Sequence, residues 1–383
     1  MTSAAGNQRR VLLAIDHFHP YVGGNETLYW NVARAFVRAG VAVDVVTRRD
    51  PGMAAEETLE GVHIVRIWTP EFAQRLLFML LALPALWKYS RTADVVHAVV
   101  YGSAFPAWLV AMLRRKPFFL TVHEVFGAEW RRLLEMNTGE GLSLRLMEFL
   151  LLRLPRTRYI SGAEFTARKI RAAGGRAFVT HYPVENEFWN AELHHAGPLR
   201  ETFHLPASTF VYLYFGRPGA SKGVEYLVRA AALVRESRPE ARLVLLLGRK
   251  PADRYAGILR LIDDLDLRKE VLVADSVPRD VLPGYLLAAD CVVVPSLSEG
   301  FGYSAVEAAT LGCPVIATTG HSVEELLTGE VDLVPPRDSA ALAAKILEVA
   351  REPRPRRPLP PRYTLDRHVA EMLRLYDEPA DAR

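Results

Sequence analysis

The stretch Pro295-Ser-Leu-Ser-Glu299-Gly-Phe-Gly-Tyr-Ser-Ala-Val-Glu307-Ala-Ala-Thr-Leu-Gly312-Cys-Pro314-Val315 decides the fold. The apolar run Cys291–Pro295 feeds into it, and a loop with Gly300 and Gly302 follows. From Ser304 the pattern becomes helical, and a new apolar run starts at Val315. A short, wholly apolar run reads as a strand buried on both faces, and a glycine loop leading into a helix is the joint of a βαβ unit. The same order occurs at Tyr214-Phe-Gly216-Arg217-Pro-Gly-Ala-Ser-Lys222-Gly223, where the run Phe210–Phe215 precedes a helix expected over Val224–Arg235.

The alternation extends in both directions. Before it lie the strand-like runs Val11–Ile15, Val41–Thr47, Val62–Ile67, Val95–Val100 and Phe118–Val122, with an amphipathic stretch Glu26–Ala39 that stops at Gly40. After Phe210–Phe215 come Leu243–Leu247, Val271–Val273, Cys291–Pro295, Val315–Ala317 and Val331–Val334. Strands alternating with helices imply parallel sheets covered on both faces. Two such series predict two tandem doubly wound α/β domains, over 1–190 and 191–350. The break lies near the polar segment Glu187–Pro206. Arg351–Arg362, with five prolines and five arginines, reads as an extended linker. The helical pattern Leu365–Tyr376 beyond it is expected to cross back to the first domain.

Composition removes other classes. Of 383 residues, 50% are hydrophobic and 24% charged, which is ordinary globular usage and not that of a disordered or fibrous chain. A net charge of +3 argues against a dedicated nucleic-acid binder. Two cysteines, Cys291 and Cys313, exclude a disulfide scaffold and fit a reducing compartment. The polar start followed by VLLAI lacks a signal-peptide core, and the run Leu76–Trp87 falls short of the ~20 apolar residues that span a bilayer. A cytoplasmic protein is expected.

The two glycine loops carry the chemistry. Ligands of open α/β sheets bind beyond the carboxyl ends of the strands. Glu299 and Glu307 lie eight positions apart, one in the loop and one in the following helix. Carboxylates suit hydroxyl-rich ligands because they accept charge-assisted hydrogen bonds from vicinal hydroxyls. Arg217 and Lys222 suit a diphosphate, the first as a fork and the second as a point charge. The spacing is not that of a Walker loop. Asp16, His17 and His19 lack a third ligand at recognised metal-ligand spacing, and the cluster Asp263-Asp264-Leu-Asp266 reads as the solvated end of a helix.

These segments together resemble the retaining GT-B glycosyltransferases of family 4, the glycosyl transferases group 1, over nearly the whole chain. The resemblance implies two Rossmann-like domains facing a central cleft, and a donor that is a nucleoside-diphosphate sugar. It implies that Glu299 binds donor-sugar hydroxyls and Glu307 the ribose, and that Arg217 and Lys222 neutralise the diphosphate. His19-Pro20-Tyr-Val-Gly23-Gly24 resembles the family's P-x-x-G-G loop, whose backbone approaches donor phosphate and sugar. Thr121-Val-His123-Glu124 resembles its T-x-H-[DE] segment, which places His123 beside the sugar. Gly216, Gly248, Gly300, Phe301, Gly302 and Tyr303 are expected to line the donor site, with Val277 in the loop that meets the base. No cofactor is implied. The acceptor is a hydroxyl, lipid-linked or on a polysaccharide precursor. A sugar-nucleotide epimerase of the same fold and a non-catalytic sugar-nucleotide-binding subunit are the alternatives.

Charge is unevenly spread. Residues 1–190 hold 23 Lys+Arg against 17 Asp+Glu, and Arg114–Arg176 alone holds 13 against 6. Arg114, Arg115, Lys116, Arg131 and Arg132, near Trp130 and Leu133, with the amphipathic segment Leu142–Leu154, leave two readings open: a face for an anionic membrane, or helices packed on the first sheet with solvated arginines.

Overall fold

The computed structural model describes residues 8–21, 23–70, 72, 74–99, 101–130 and 138–379. The chain divides into two compact units. The first comprises Met1–Gly127, Ser143–Pro183 and Tyr363–Arg383, and the second comprises Ala128–Leu142 and Val184–Arg362.

The first unit is built on eight strands: β1 Arg10–Ile15, β2 Ala42–Arg48, β3 Glu56–Leu59, β4 Val62–Ile67, β5 Val95–Val99, β6 Phe118–Thr121, β7 Thr157–Ser161 and β8 Arg176–Val179. Their order is β3-β4-β2-β1-β5-β6-β7-β8. All neighbours are parallel except β3, which folds back antiparallel on β4. The order reverses between β1 and β5, so the loops after those strands diverge and leave a crevice at their carboxyl ends. Helix Gly24–Arg38 leaves the loop after β1, and helix Tyr101–Arg114 follows β5.

The second unit has β9 Val211–Gly216, β10 Arg242–Leu247, β11 Val271–Asp275, β12 Cys291–Val294, β13 Val315–Thr318 and β14 Asp332–Val334, ordered β11-β10-β9-β12-β13-β14. All are parallel. The apolar runs dictate this. Leu243–Leu247 is buried throughout, packed with Leu227, Val228 and Ile346 of the flanking helices. Each fully buried leucine contributes about 1.5–3 kcal/mol over an exposed one, which fixes these strands in the middle of the sheet. The switch point falls between β9 and β12, the two strands that feed the glycine loops. Cys291 pairs with Tyr212 and Val292 with Leu213.

The helix Leu365–Asp377 belongs to the first unit. It is capped by Thr364, whose side chain accepts from the Arg367 N–H. Arg158 of β7 donates to the carbonyls of Leu375 (3.3 Å) and Glu378 (2.7 Å), and Tyr376 hydrogen-bonds His97 Nδ1 at 2.6 Å. These contacts let an arginine and a histidine occupy interior strands.

Candidate active site

In the second unit the loops after β9 and β12 meet. Gly223 has φ +62°, and a Cβ there would lie 2.2 Å from the Pro295 carbonyl oxygen, so only glycine lets the two loops touch. The Leu297 N–H donates to the Ser221 carbonyl at 2.7 Å across the same contact. Lys222, at the end of a 3-10 turn Ala220–Lys222, is thereby aimed at Glu299. Its Nζ donates to both carboxylate oxygens, at 2.8 and 3.0 Å. Ser296 Oγ donates to Glu299 Oε1 at 2.7 Å. Burial pushes the Glu299 carboxyl up, but Lys222, Ser296 and His321 together outweigh it and hold it below the ordinary value.

The family resemblance assigns Lys222 to the diphosphate and Glu299 to the sugar. The structure joins them as an ion pair. A group arriving at one of them meets the other.

The backbone of Glu299 is fixed from β13. Ser322 Oγ donates to the Glu299 carbonyl at 2.8 Å. Thr318 Oγ1 donates to the Ser296 carbonyl, so its single proton is used and His321 Nε2–H must donate to it, at 2.9 Å. The other nitrogen, Nδ1, accepts from the Val323 N–H. His321 is neutral in this arrangement, and burial lowers its pKa despite the nearby Glu299. Ser296, Thr318, His321 and Ser322 escape the sequence reading. The available signal was the strand-end position of Thr318 to Ser322, the same position that marks the other loops.

Gly302 is the N-cap of helix Tyr303–Thr310, at φ 79° and ψ 48°. A Cβ there would lie 2.3 Å from Val323 Cγ2. Gly300 is buried, and Phe301 is buried with its ring 4.9 Å from that of Tyr303. The Ala305 and Val306 N–H groups both donate to the Gly302 carbonyl, at 3.0 and 3.1 Å, and close the first turn of this helix. Glu307 is half-buried on the same helix, and its side chain takes no hydrogen bond among the described residues. Burial pushes its carboxyl up to about 8; Arg279 opposes this and Glu185 adds to it. Arg279 and Glu185 are themselves paired at 3.1 Å.

Arg217 is exposed after Gly216, and its carbonyl accepts from the buried Tyr214 hydroxyl at 2.9 Å. Gly248, after β10, is close enough that a Cβ would sit 3.4 Å from Arg217 Cγ and 3.6 Å from Ser276 Oγ. Val277 is half-buried in the loop after β11. The carboxyl ends of β9, β10, β11 and β12 thus gather Gly216, Arg217, Lys222, Gly248, Val277 and Glu299, with Glu307 one helical turn beyond.

In the first unit Gly23 caps helix Gly24–Arg38, and Gly24 is exposed at its start. A Cβ on Gly23 would meet Glu26 Oε2 at 2.2 Å. His123 follows β6. Its Nε2 is buried with no hydrogen-bond partner among the described residues. It lines a cavity of about 190 Å³ together with Asn25, Tyr101, Glu124 and Phe126. Burial lowers the His123 pKa to about 4, so the imidazole is neutral near pH 7. Tyr29 and His97 both bond Thr121 Oγ1, which anchors the strand end that carries it. The missed partner here is Glu148, whose carboxylate accepts the N–H groups of Phe126 (3.0 Å) and Gly127 (2.6 Å) and holds the loop after His123.

The other sequence candidates have structural partners. His17 faces Arg48, with Nη2 2.6 Å from Nε2, and His19 stacks on Trp30 at 4.4 Å. Asp263 pairs with Arg268 at 2.6 Å. Among the described residues no three His, Cys, Asp or Glu side chains are grouped as metal ligands.

Comparison with known proteins agrees with the geometry. A model described as Glycosyl transferases group 1 matches residues 209–352, and one described as Glycosyltransferase Family 4 matches residues 22–186. Together they cover most of the chain, which belongs to this glycosyltransferase family. The D-inositol 3-phosphate glycosyltransferase of Pseudarthrobacter chlorophenolicus is 28% identical over 346 residues, 81% of this chain and 79% of the relative. The structure of sucrose-phosphate synthase from Thermosynechococcus elongatus matches with a TM-score of 0.79 at 23% identity, covering 96% of this chain and 98% of the other. Anabaena HepE, in complex with UDP and glucose, matches with a TM-score of 0.73 at 17% identity, covering 96% and 99%. The fold is GT-B and the protein is a glycosyltransferase.

Proposed function

We propose that the protein transfers a sugar, with retention, from a nucleoside-diphosphate sugar of the UDP or GDP type to a hydroxyl acceptor that is lipid-linked or part of a polysaccharide precursor. The observation that carries this reading is the Lys222–Glu299 pair at the switch point, beside the N-terminus of helix Tyr303–Thr310. Departure of a diphosphate builds negative charge on its oxygens, and Lys222, Arg217 and the helix N–H groups are the donors for it. The bond from the anomeric carbon to the phosphate oxygen breaks. The bond to the acceptor oxygen forms on the same face, and the acceptor proton passes to the departing phosphate oxygen. Glu299 then holds the sugar through its hydroxyls and Glu307 holds the ribose. His123, neutral and with a free Nε2, is suited to a hydroxyl of the sugar. No metal or cofactor takes part.

The solved complex of Anabaena HepE with UDP and glucose supports the donor class. The relative named for D-inositol 3-phosphate supports a hydroxyl-bearing acceptor. The membrane reading draws support from the exposed apolar side chains of helix Thr138–Leu151, where Leu142 is 62% and Leu146 57% exposed, and from Leu76 at 65% on helix Gln74–Leu81. Trp130 does not join them: it is buried, because its large ring packs inward. Arg131, Arg132 and Leu133 lie outside the described residues. Among the described residues no helix is long and apolar enough to cross a membrane.

The test is a thermal-shift screen with uridine, guanosine and adenosine diphosphate sugars, followed by product analysis with the donor that binds. Slow donor hydrolysis or transfer with an α-configured product from an α-configured donor is expected. Interconversion of the donor without any acceptor would reject transfer in favour of epimerisation, and binding with no turnover of any kind would leave only a binding subunit.

A further inference from the structure

The first unit carries a second concave site at the opposite end of its sheet from His123. Strands β6, β7 and β8 are parallel, and the segments entering them enclose a pocket of about 670 Å³. That is the size of small-molecule sites. Among the described residues six cationic ones line it, Arg115, Lys116, Arg153, Arg156, Arg158 and Arg176, and no acidic one does. The positive excess of Arg114–Arg176 noted in the sequence is therefore concentrated in one cavity rather than spread over solvated faces.

The cations are held in place in different ways. Arg158 is buried in strand β7, with its guanidinium committed to the Leu375 and Glu378 carbonyls. Arg153 lies over the Phe149 ring at 3.7 Å, and Arg176 lies over Phe178 at 5.0 Å. Glu378 approaches Arg176 at 3.8 Å but is shared with Arg374 at 3.6 Å. Arg115, Lys116 and Arg156 meet no carboxylate among the described residues. Both Arg115 (φ 55°) and Arg156 (φ 56°) adopt the left-handed backbone conformation, which a branched chain avoids and an arginine rarely takes. The two turns that place these side chains at the mouth are thus specific and locally unfavourable. Like charges gathered around one cavity repel each other until an anion enters. Arginine forks match phosphate oxygens in pairs. A concave pocket of this size, and not a long basic stripe, suits a small anion rather than a duplex.

We propose that this pocket is an anion site that binds a phosphate-bearing small molecule or headgroup, separate from the donor site. It shares no residue with the loops after β9 and β12, so the glycosyl-transfer reading can fail while this site stands.

Calorimetry of inorganic tripolyphosphate titrated into the full chain is the test. A site that survives Arg217→Ala with Lys222→Ala is expected, weakening as salt rises. Arg115→Asn with Lys116→Gln and Arg156→Asn should lower its affinity at least tenfold while the melting temperature holds, since asparagine tolerates the left-handed turns. Arg217→Ala with Lys222→Ala should leave this binding in place. A parallel arm uses vesicles of phosphatidylcholine with phosphatidylglycerol. Co-sedimentation that tripolyphosphate displaces and the triple variant loses identifies a lipid headgroup as the source, whereas tripolyphosphate binding without co-sedimentation identifies a free phosphate compound. Absence of both bindings overturns the proposal. So does wild-type affinity in the triple variant, or binding lost only in the Arg217 and Lys222 variant.

Discussion

Lys222→Ala removes one half of a pair whose other half has almost no access to water. The Lys222 side chain is 32% exposed and that of Glu299 is 11%. Breaking a fully buried pair costs about 3–5 kcal/mol, and an exposed pair is worth about 0–1 kcal/mol. The position between these limits sets the expected cost at roughly 1.5–3 kcal/mol at neutral pH. The cost has a definite pH dependence. In the wild type the Glu299 pKa is depressed, so its contribution to stability is present above the ordinary carboxylate value and is lost as pH falls through the folded value. Without Lys222, burial is the largest remaining influence and raises the pKa. The contribution then reverses: it is retained at low pH and lost as pH rises above the ordinary value. The stability gap between the two proteins should therefore be small near pH 4 and widen toward pH 7.5. Urea unfolding followed by circular dichroism at both pH values measures it. Lys222→Arg should close most of the gap. Transfer activity of Lys222→Ala should drop about 100-fold, the effect of removing one donor to a developing anion, about 3 kcal/mol. A gap that is absent, or equal at pH 4 and 7.5, would refute the ion-pair account.

Glu307→Gln should weaken free nucleoside diphosphate by about 10- to 100-fold above pH 8, where the carboxyl is ionised, the value of a hydrogen bond to a charged group, with calorimetry as the readout. Because its folded pKa is raised to about 8, wild-type stability should fall as pH rises from the ordinary carboxylate value toward 8, and Glu307→Gln should flatten that slope. His123→Ala should lower turnover more than nucleotide affinity. The wild-type rate should show no limb from this imidazole between pH 5.5 and 8, since its pKa lies near 4; full activity in the variant would make His123 a packing residue. Gly223→Ala should cost at least about 2 kcal/mol, from the left-handed backbone plus the approach to the Pro295 carbonyl, and wild-type stability in that variant would contradict the loop contact.

What could be read in the sequence follows from what each residue needs. Strands β9, β10 and β12 are legible because both faces are buried and their runs Val211–Phe215, Leu243–Leu247 and Cys291–Val294 are wholly apolar. Strand β7, Thr-Arg-Tyr-Ile-Ser, is equally buried but is not legible, since Arg158 is tolerated only through carbonyls more than two hundred residues away. Strand β3 escapes for the opposite reason: its Glu56 and Glu57 lie on an exposed edge, where no apolar pattern is required. At the site, Glu299, Glu307, Arg217 and Lys222 stand out because glycine loops at strand ends fix where ligands go. Their mutual arrangement does not. The Lys222–Glu299 bond spans 77 positions and depends on the contact at Gly223, which no local spacing encodes. Polar supports such as Ser296 and Ser322 have no periodicity and resemble any loop serine.

The helix Leu365–Asp377 has a consequence for the order in which the molecule is made. Translation delivers residues 143–183, then all of 184–362, and only afterwards the carbonyls of Leu375 and Glu378 and the hydroxyl of Tyr376. Until then Arg158 and His97 sit in nascent strands without those partners. The unit that starts first on the ribosome is therefore the one that finishes last, and strands β5 and β7 stay vulnerable to mispairing and proteases for as long as the downstream half takes to emerge.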